Sequence, residues 1–121
     1  MKFKESKSIY LQIADRICDE ILQGQYKEEE RIPSVREYAA MVEVNANTVV
    51  RSFDYLQGQD IIYNKRGLGY FVALEGRERI LELRKEVFLR DELPEFFRQL
   101  KTLDIPMKDV EKMYNEYLKE D

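Results

Sequence analysis

The stretch VNANTVVRSFDYL, Val44 to Leu56, decides how the rest of the chain is to be read. Apolar Val49, Val50, Phe53 and Leu56 recur at helical spacing, so a helix is expected from Ala46 to about Gln57, stopping at Gly58. Its start is polar: Asn45, Asn47 and Thr48 are all poor helix formers. One of them, Asn45, suits the N-cap. Capping needs a single such residue, and a helix wanted only for packing has no use for Asn47 and Thr48 followed by a lone Arg51. A helix whose first turn meets a polar partner does. Asn47, Thr48 and Arg51 fall on much the same side, with Val49, Phe53 and Leu56 opposite them toward a core.

Working outward, PSVREYAAMV precedes this helix. Ser34 and Glu37 have the spacing of a capping box, so a short helix should begin there with Tyr38, Ala39 and Val42 facing inward. A tight turn at Glu43 and Val44 joins the two. Further upstream, Ile9, Tyr10, Ile13, Ala14, Ile17, Cys18, Ile21 and Leu22 form the stripe of a first amphipathic helix over Ser8–Gln23. Ser6 or Ser8 can cap it and Gly24 can end it. Downstream the period changes from helical to strand-like. IIYNK and YFVAL, joined by RGLG, read as a β-hairpin.

Helix, helix, turn, helix, hairpin is the order of a winged helix-turn-helix domain. In that arrangement the second helix of the pair enters the DNA major groove and its N-terminal residues reach bases and phosphates. Asparagine can pair bidentately with adenine, and hydroxyls and helix N-terminal amides bind phosphate oxygens. Arg36, near a helix start, suits a phosphate. Lys65 and Arg66 beside Gly67 place two cations at a flexible turn that can follow a DNA backbone or minor groove. Gly67 and Gly69 have a second reading, since the hairpin tip can require positive φ.

Composition bounds the alternatives. The chain has 121 residues, 44% apolar and 36% charged, with net charge −4. A nucleic-acid binder usually carries a basic excess. Here the deficit is uneven: −1 from Met1 to Leu74 and −3 from Glu75 to Asp121. Between Arg31 and Val72 five basic residues face four acidic ones, which permits a local basic surface. There is no histidine, hence no histidine-based triad or metal site, and no phosphate-binding glycine loop, so no enzyme, metal or cofactor is expected. The single cysteine, Cys18, lies on an apolar helical face and reads as a buried hydrophobe. MKFKESKS lacks the apolar core of a signal peptide, and no run approaches the roughly 20 apolar residues that cross a bilayer. A cytoplasmic protein without a membrane partner is expected.

These segments carry a family resemblance. RIPSVREYAAMVEVNANTVVRSFDYLQGQDIIYNKRGLGYFV resembles the DNA-binding domain of the GntR family of bacterial transcription regulators, and IYLQIADRICDEILQGQY resembles that family's first helix. The match runs from about Ile9 to Val72 without a gap. The asparagines of VNANTV resemble the YtrA-like subgroup, where Asn-Pro-Asn-Thr-Val is common. Ala46 stands where that proline, or an arginine in other subgroups, would be, and Glu29 stands at a position that is usually glycine. The resemblance implies DNA contacts by Arg36, by Asn47, Thr48 and Arg51, and by Gly69 with Lys65 and Arg66 of the wing; Asn45 and Gly67 are expected to contact DNA beside them.

The 47 residues from Glu75 to Asp121 hold further helical stripes. Ile80, Leu81, Leu83, Val87 and Phe88 form one; Leu93, Phe96, Phe97, Leu100 and Leu103 form another, after Pro94 disrupts or kinks the helix. Ile105-Pro106 marks a turn before Met107, Val110, Met113, Tyr114, Tyr117 and Leu118. So short a segment has no sizeable core of its own and must pack elsewhere. The expected fold is mainly α with a small β-hairpin wing: a winged helix-turn-helix over 1–74, then a short helical dimerisation tail over 75–121. Leu83, Val87, Phe88, Phe96, Phe97, Leu100, Val110, Met113, Tyr114 and Tyr117 are the expected dimer contacts. The tail is too short for the large effector domain of most GntR relatives, so no small-molecule effector is assigned. The expected function is sequence-specific binding of a two-fold double-stranded DNA operator by a homodimer, as a repressor. The alternative is a winged-helix module that binds another protein.

Overall fold

The structure, a computed structural model, describes residues 7–120. Its elements are α1 (Ile9–Leu22), α2 (Val35–Val42), α3 (Ala46–Gly58), β1 (Ile62–Lys65), β2 (Gly69–Val72), α4 (Gly76–Val87), a π-turn (Phe88–Glu92), α5 (Leu93–Thr102) and α6 (Met107–Lys119). Two compact units divide at Glu82/Leu83. The first is a winged helix-turn-helix.

The local signals act as their chemistry requires. Ser34 Oγ accepts from the Glu37 N–H at 3.1 Å and Glu37 Oε1 accepts from the Ser34 N–H at 2.9 Å, closing the capping box of α2. Glu43 ends α2 in the left-handed region, φ 57°, with its N–H on the Ala39 carbonyl. Asn45 Oδ1 accepts from the Asn47 N–H at 2.8 Å and caps α3. Ser8 occupies the N-cap of α1 but its side chain makes no cap bond. Ser6, the other expected cap, lies outside the described residues.

Ile13, Ile17, Tyr38, Val49, Phe53, Leu56, Ile62 and Val72 fill the core between the three helices and the hairpin. Burying each such side chain contributes about 1.5–3 kcal/mol. Phe53 centres the aromatic packing, edge-on to Tyr70 with centroids 4.8 Å apart and to Tyr38 at 6.4 Å. Cys18 is buried, as its position on α1 implied. The hairpin is antiparallel, with Tyr63 opposite Phe71 and Lys65 opposite Gly69. The segment before α2 extends it: Glu29 N–H to Val72 O, Val72 N–H to Glu30 O and Ile32 N–H to Tyr70 O are 2.8–2.9 Å. Glu29, at the position where glycine is usual, keeps a left-handed backbone with φ 67°. Its carboxylate accepts from Tyr63 Oη at 2.7 Å, a bond that raises the Tyr63 phenol above its usual pKa.

The core-facing side of α3 is the expected one, with Val49, Phe53 and Leu56 fully buried. Val50, the remaining valine of the helix, is 40% exposed, whereas Ser52 is fully buried. Taking Val49, Phe53 and Leu56 as the centre of the buried stripe, a turn of about 100° per residue puts Val50 at its edge and Ser52 within it. Ser52 keeps its hydroxyl satisfied there by donating to the Tyr10 carbonyl at 2.7 Å and the Thr48 carbonyl at 3.1 Å.

The first unit extends into α4. Ile80 is buried, Arg77 Nη1 donates to Leu22 O at 2.6 Å, and Arg79 Nε donates to Gln59 O at 3.1 Å. At Gly76 a Cβ would lie 2.7 Å from the Ile61 carbonyl oxygen, so glycine lets the start of α4 sit against the backbone. In the second unit the regular α-helix is disrupted just before Pro94, as the sequence implies. The chain widens into one π-turn, with the Leu93 N–H on the Phe88 carbonyl, and Pro94, which has no N–H to give, follows in the first turn of α5. Neither α5 nor α6 buries any residue. Of the expected dimer contacts, Leu83, Leu100 and Val110 are half-buried; Val87, Phe88, Phe96, Phe97, Met113, Tyr114 and Tyr117 are exposed.

Candidate nucleic-acid interface

Asn45, Asn47 and Arg51 are exposed along the N-terminal half of α3, and Thr48 is half-buried. Asn45 is committed in part, because its Oδ1 serves as the cap. Asn47 has only its backbone N–H engaged in that cap, so its carboxamide is the more suitable base reader. Thr48 is drawn inward: its N–H returns to the Asn45 carbonyl at 3.0 Å and its carbonyl takes the Ser52 hydroxyl.

Arg51 rests on α1. Its guanidinium carbon is 4.1 Å from the centroid of the Tyr10 ring, and that ring is edge-on to Tyr55 at 6.4 Å. An exposed stack of this kind contributes about 0.5–1 kcal/mol. Stacking on the ring face leaves the in-plane N–H donors available, so Tyr10 orients the cation without consuming it. In the sequence Tyr10 is one of the apolar stripe of α1, and nothing local marks it as a partner of Arg51.

Arg36 is exposed in the first turn of α2, one residue before Glu37. The bonds from Ser34, the backbone N–H foremost, hold the Glu37 carboxyl below its usual pKa, with the Arg31 charge acting in the same direction. In the wing, Lys65 and Arg66 are exposed. Lys65 Nζ lies 4.9 Å over the Phe71 ring, which stacks on Tyr63 at 5.8 Å. Gly67 and Gly69 both have positive φ, 80° and 115°. Gly69 meets a second demand, because a Cβ there would lie 2.8 Å from Arg31 Nε.

Arg31 joins the expected parts and was missed as one of them. Its Nε donates to the Leu68 carbonyl at the wing tip at 3.1 Å, and its Nη2 is 3.9 Å from Glu37 Oε1 at the start of α2. It thereby ties the wing to the helix that carries Arg36. No local signal reveals such a link, since Leu68 is 37 residues away in sequence. Among the described residues, no group of histidine, cysteine or carboxylate side chains could hold a metal ion.

Comparison with known proteins places the fold in a family. The family model for bacterial regulatory proteins, gntR family, matches residues 9–72. The chain belongs to the GntR family. This GntR regulator is 36% identical over 109 residues to the HTH-type transcriptional regulator YhcF of Bacillus subtilis, covering 90% of this chain and 88% of YhcF. It is 32% identical over 79 residues to the B. subtilis HTH-type transcriptional repressor YtrA, covering 65% of this chain and 61% of YtrA. A crystal structure of a GntR-family transcriptional regulator from Bacteroides thetaiotaomicron is 62% identical, with a TM-score of 0.83 over 93% of this chain and 98% of that one. As a GntR protein with a winged helix-turn-helix, the chain is a DNA-binding transcription regulator.

Proposed function

We propose that the chain represses transcription by binding a two-fold operator as a homodimer, in the cytoplasm, with residues 1–74 reading DNA and residues 75–121 pairing two copies. One observation carries the DNA half: the N-terminal turns of α3 turn Asn47 and Arg51 outward while Val49, Phe53 and Leu56 on the opposite side are fully buried. Asn47 pairs with adenine. Arg36, Arg51, Lys65 and Arg66 neutralise phosphates, and the Gly67–Gly69 tip approaches the backbone. Thr48 and Asn45 shape the helix start. The dimer half is supported by the exposed apolar and aromatic side chains of α5 and α6. One half-site gives few base contacts, and two readers held at fixed spacing raise the effective concentration of the second. Repression follows the name of YtrA, a repressor, and accords with the YtrA-like VNANTV.

The test selects duplexes from a random pool with the full chain, then follows binding by fluorescence anisotropy across a salt series. Arg36→Ala and Arg51→Ala should each lower the salt slope by about one unit if they neutralise a phosphate. Asn47→Ala should flatten selectivity at one symmetric pair of positions, by roughly 1–3 kcal/mol, with non-specific affinity nearly unchanged. If all three variants match the wild type in slope and consensus, the assigned face is wrong. Absence of any salt-sensitive duplex affinity would favour a protein partner instead.

A further inference from the structure

Val50 is a valine in a place where the fold has no use for one. Its neighbour Val49 is fully buried, as are Phe53 and Leu56, but Val50 is 40% exposed on α3. Viewed down the helix, Asn47 lies between Val50 on one flank and Arg51 on the other, each about a turn further along. Ala46, the first residue of α3, is one turn before Val50 on the same row and is exposed as well. The polar reader Asn47 is therefore bordered by a small apolar row.

A single exposed apolar side chain is ordinary on a protein surface. Three observations set Val50 apart. Apart from Ala46, the outward positions beside it, Asn47, Arg51 and Asp54, are polar or charged. Valine is a weaker helix former than the residues that usually fill exposed helical sites. And the buried stripe of α3 is completed without it, by Ser52, whose hydroxyl is satisfied internally. In the DNA major groove one base feature is apolar: the 5-methyl group of thymine. We propose that Val50, with Ala46 beside it, is a specificity-determining residue that selects thymine by covering its 5-methyl group. This rests on α3 being the helix that enters the groove. It predicts a preference that Asn47 cannot supply, because a carboxamide reads hydrogen-bonding edges and ignores a methyl.

The experiment uses the full chain and the duplex recovered by selection, with deoxyuridine replacing thymidine at one symmetric pair of positions at a time. The substitution removes only the methyl group and leaves base pairing intact. At one pair, affinity should fall on the order of fourfold per half-site, the worth of one methyl group removed from water. Val50→Ala should bind the thymidine duplex more weakly by a similar factor and should no longer distinguish deoxyuridine at that pair. Asn47→Ala should still distinguish it. A wild-type protein that binds every deoxyuridine duplex as tightly as the thymidine duplex overturns the proposal. So does a Val50→Ala protein that keeps the full methyl preference, since another group would then be reading it. Both results leave duplex binding intact. A failure to recover any duplex is distinct from them: it removes the assignment of α3 to the groove and Val50's role with it.

Discussion

Phe53 and Phe97 are the same side chain on two amphipathic helices, with opposite fates. Phe53 is 0% exposed, packed against α2 and the hairpin through Tyr38 and Tyr70. Phe97 is 46% exposed, touching Phe96 with centroids 6.3 Å apart. The apolar stripes of α3 and α5 are equally plain in the sequence. A stripe says which side of a helix avoids water; what covers it depends on elements the stripe does not name. In the first unit the chain supplies the cover, whereas α5 and α6 bury no residue within this chain.

The pair of phenylalanines gives the sharpest way to break this contrast. Phe53→Ala should destabilise the winged unit by about 3–5 kcal/mol, enough to unfold most of a small domain at physiological temperature. Phe97→Ala should leave the unfolding midpoint of that unit unchanged at a concentration where the chain is monomeric, while weakening self-association by about 2 kcal/mol. Thermal denaturation followed by circular dichroism, beside sedimentation over a concentration series, separates the two. Equal losses of stability would mean that Phe97 is packed within one chain.

A smaller effect probes a polar contact that only the first unit has. Tyr38 Oη donates to Glu20 Oε1 at 2.9 Å in the core, and Arg16 Nε lies 3.4 Å from Glu20 Oε2. Burial, and then the Glu20 charge, push the Tyr38 phenol well above its usual pKa. Tyr38→Phe removes the donor and leaves the carboxylate to Arg16 alone, so stability should fall by about 1–3 kcal/mol. The raised phenol also sets a sign. The neutral form is the one the fold favours, so its contribution is complete below pH 10 and is lost as pH rises above it. Urea titrations of wild type and Tyr38→Phe should therefore converge above pH 10. A constant difference there would assign the effect to packing.

The smallest change expected lies at the turn between α2 and α3. Glu43 holds φ 57°, a conformation that disfavours a Cβ. Glu43→Gly relieves that strain but gives the unfolded chain more freedom, and the net gain should be a few tenths to about 1 kcal/mol. A loss of stability would show that the glutamate side chain supports the turn.

What could be read beforehand was what short-range chemistry settles. The capping box of Ser34 and Glu37, the cap at Asn45 and the hairpin glycines are decided within a few residues, and so was the polar first turn of α3. Contacts between distant segments were not legible. Glu20 reads as a solvated glutamate until Tyr38, 18 residues on, places a hydroxyl on it. Arg31 reads as a loop cation until Leu68 offers it a carbonyl. Arg51 was recognisable as an outward cation, but the Tyr10 ring beneath it comes from another helix. Ser52 is buried for a reason its polarity hides: its angle on α3 places it beside Val49 and Leu56, and its hydroxyl finds carbonyls there.

The central claim is a division of labour: a winged unit that reads DNA and a tail that pairs two copies. Sedimentation of the full chain and of a chain ending at Glu82, each alone and with the selected duplex, tests it most directly. The full chain should be a dimer at micromolar concentration and place two copies on one duplex. The shorter chain should fold, stay monomeric and bind at least about a hundredfold more weakly. A full chain that stays monomeric, and binds the two-fold duplex no more tightly than the shorter chain does, would contradict the account.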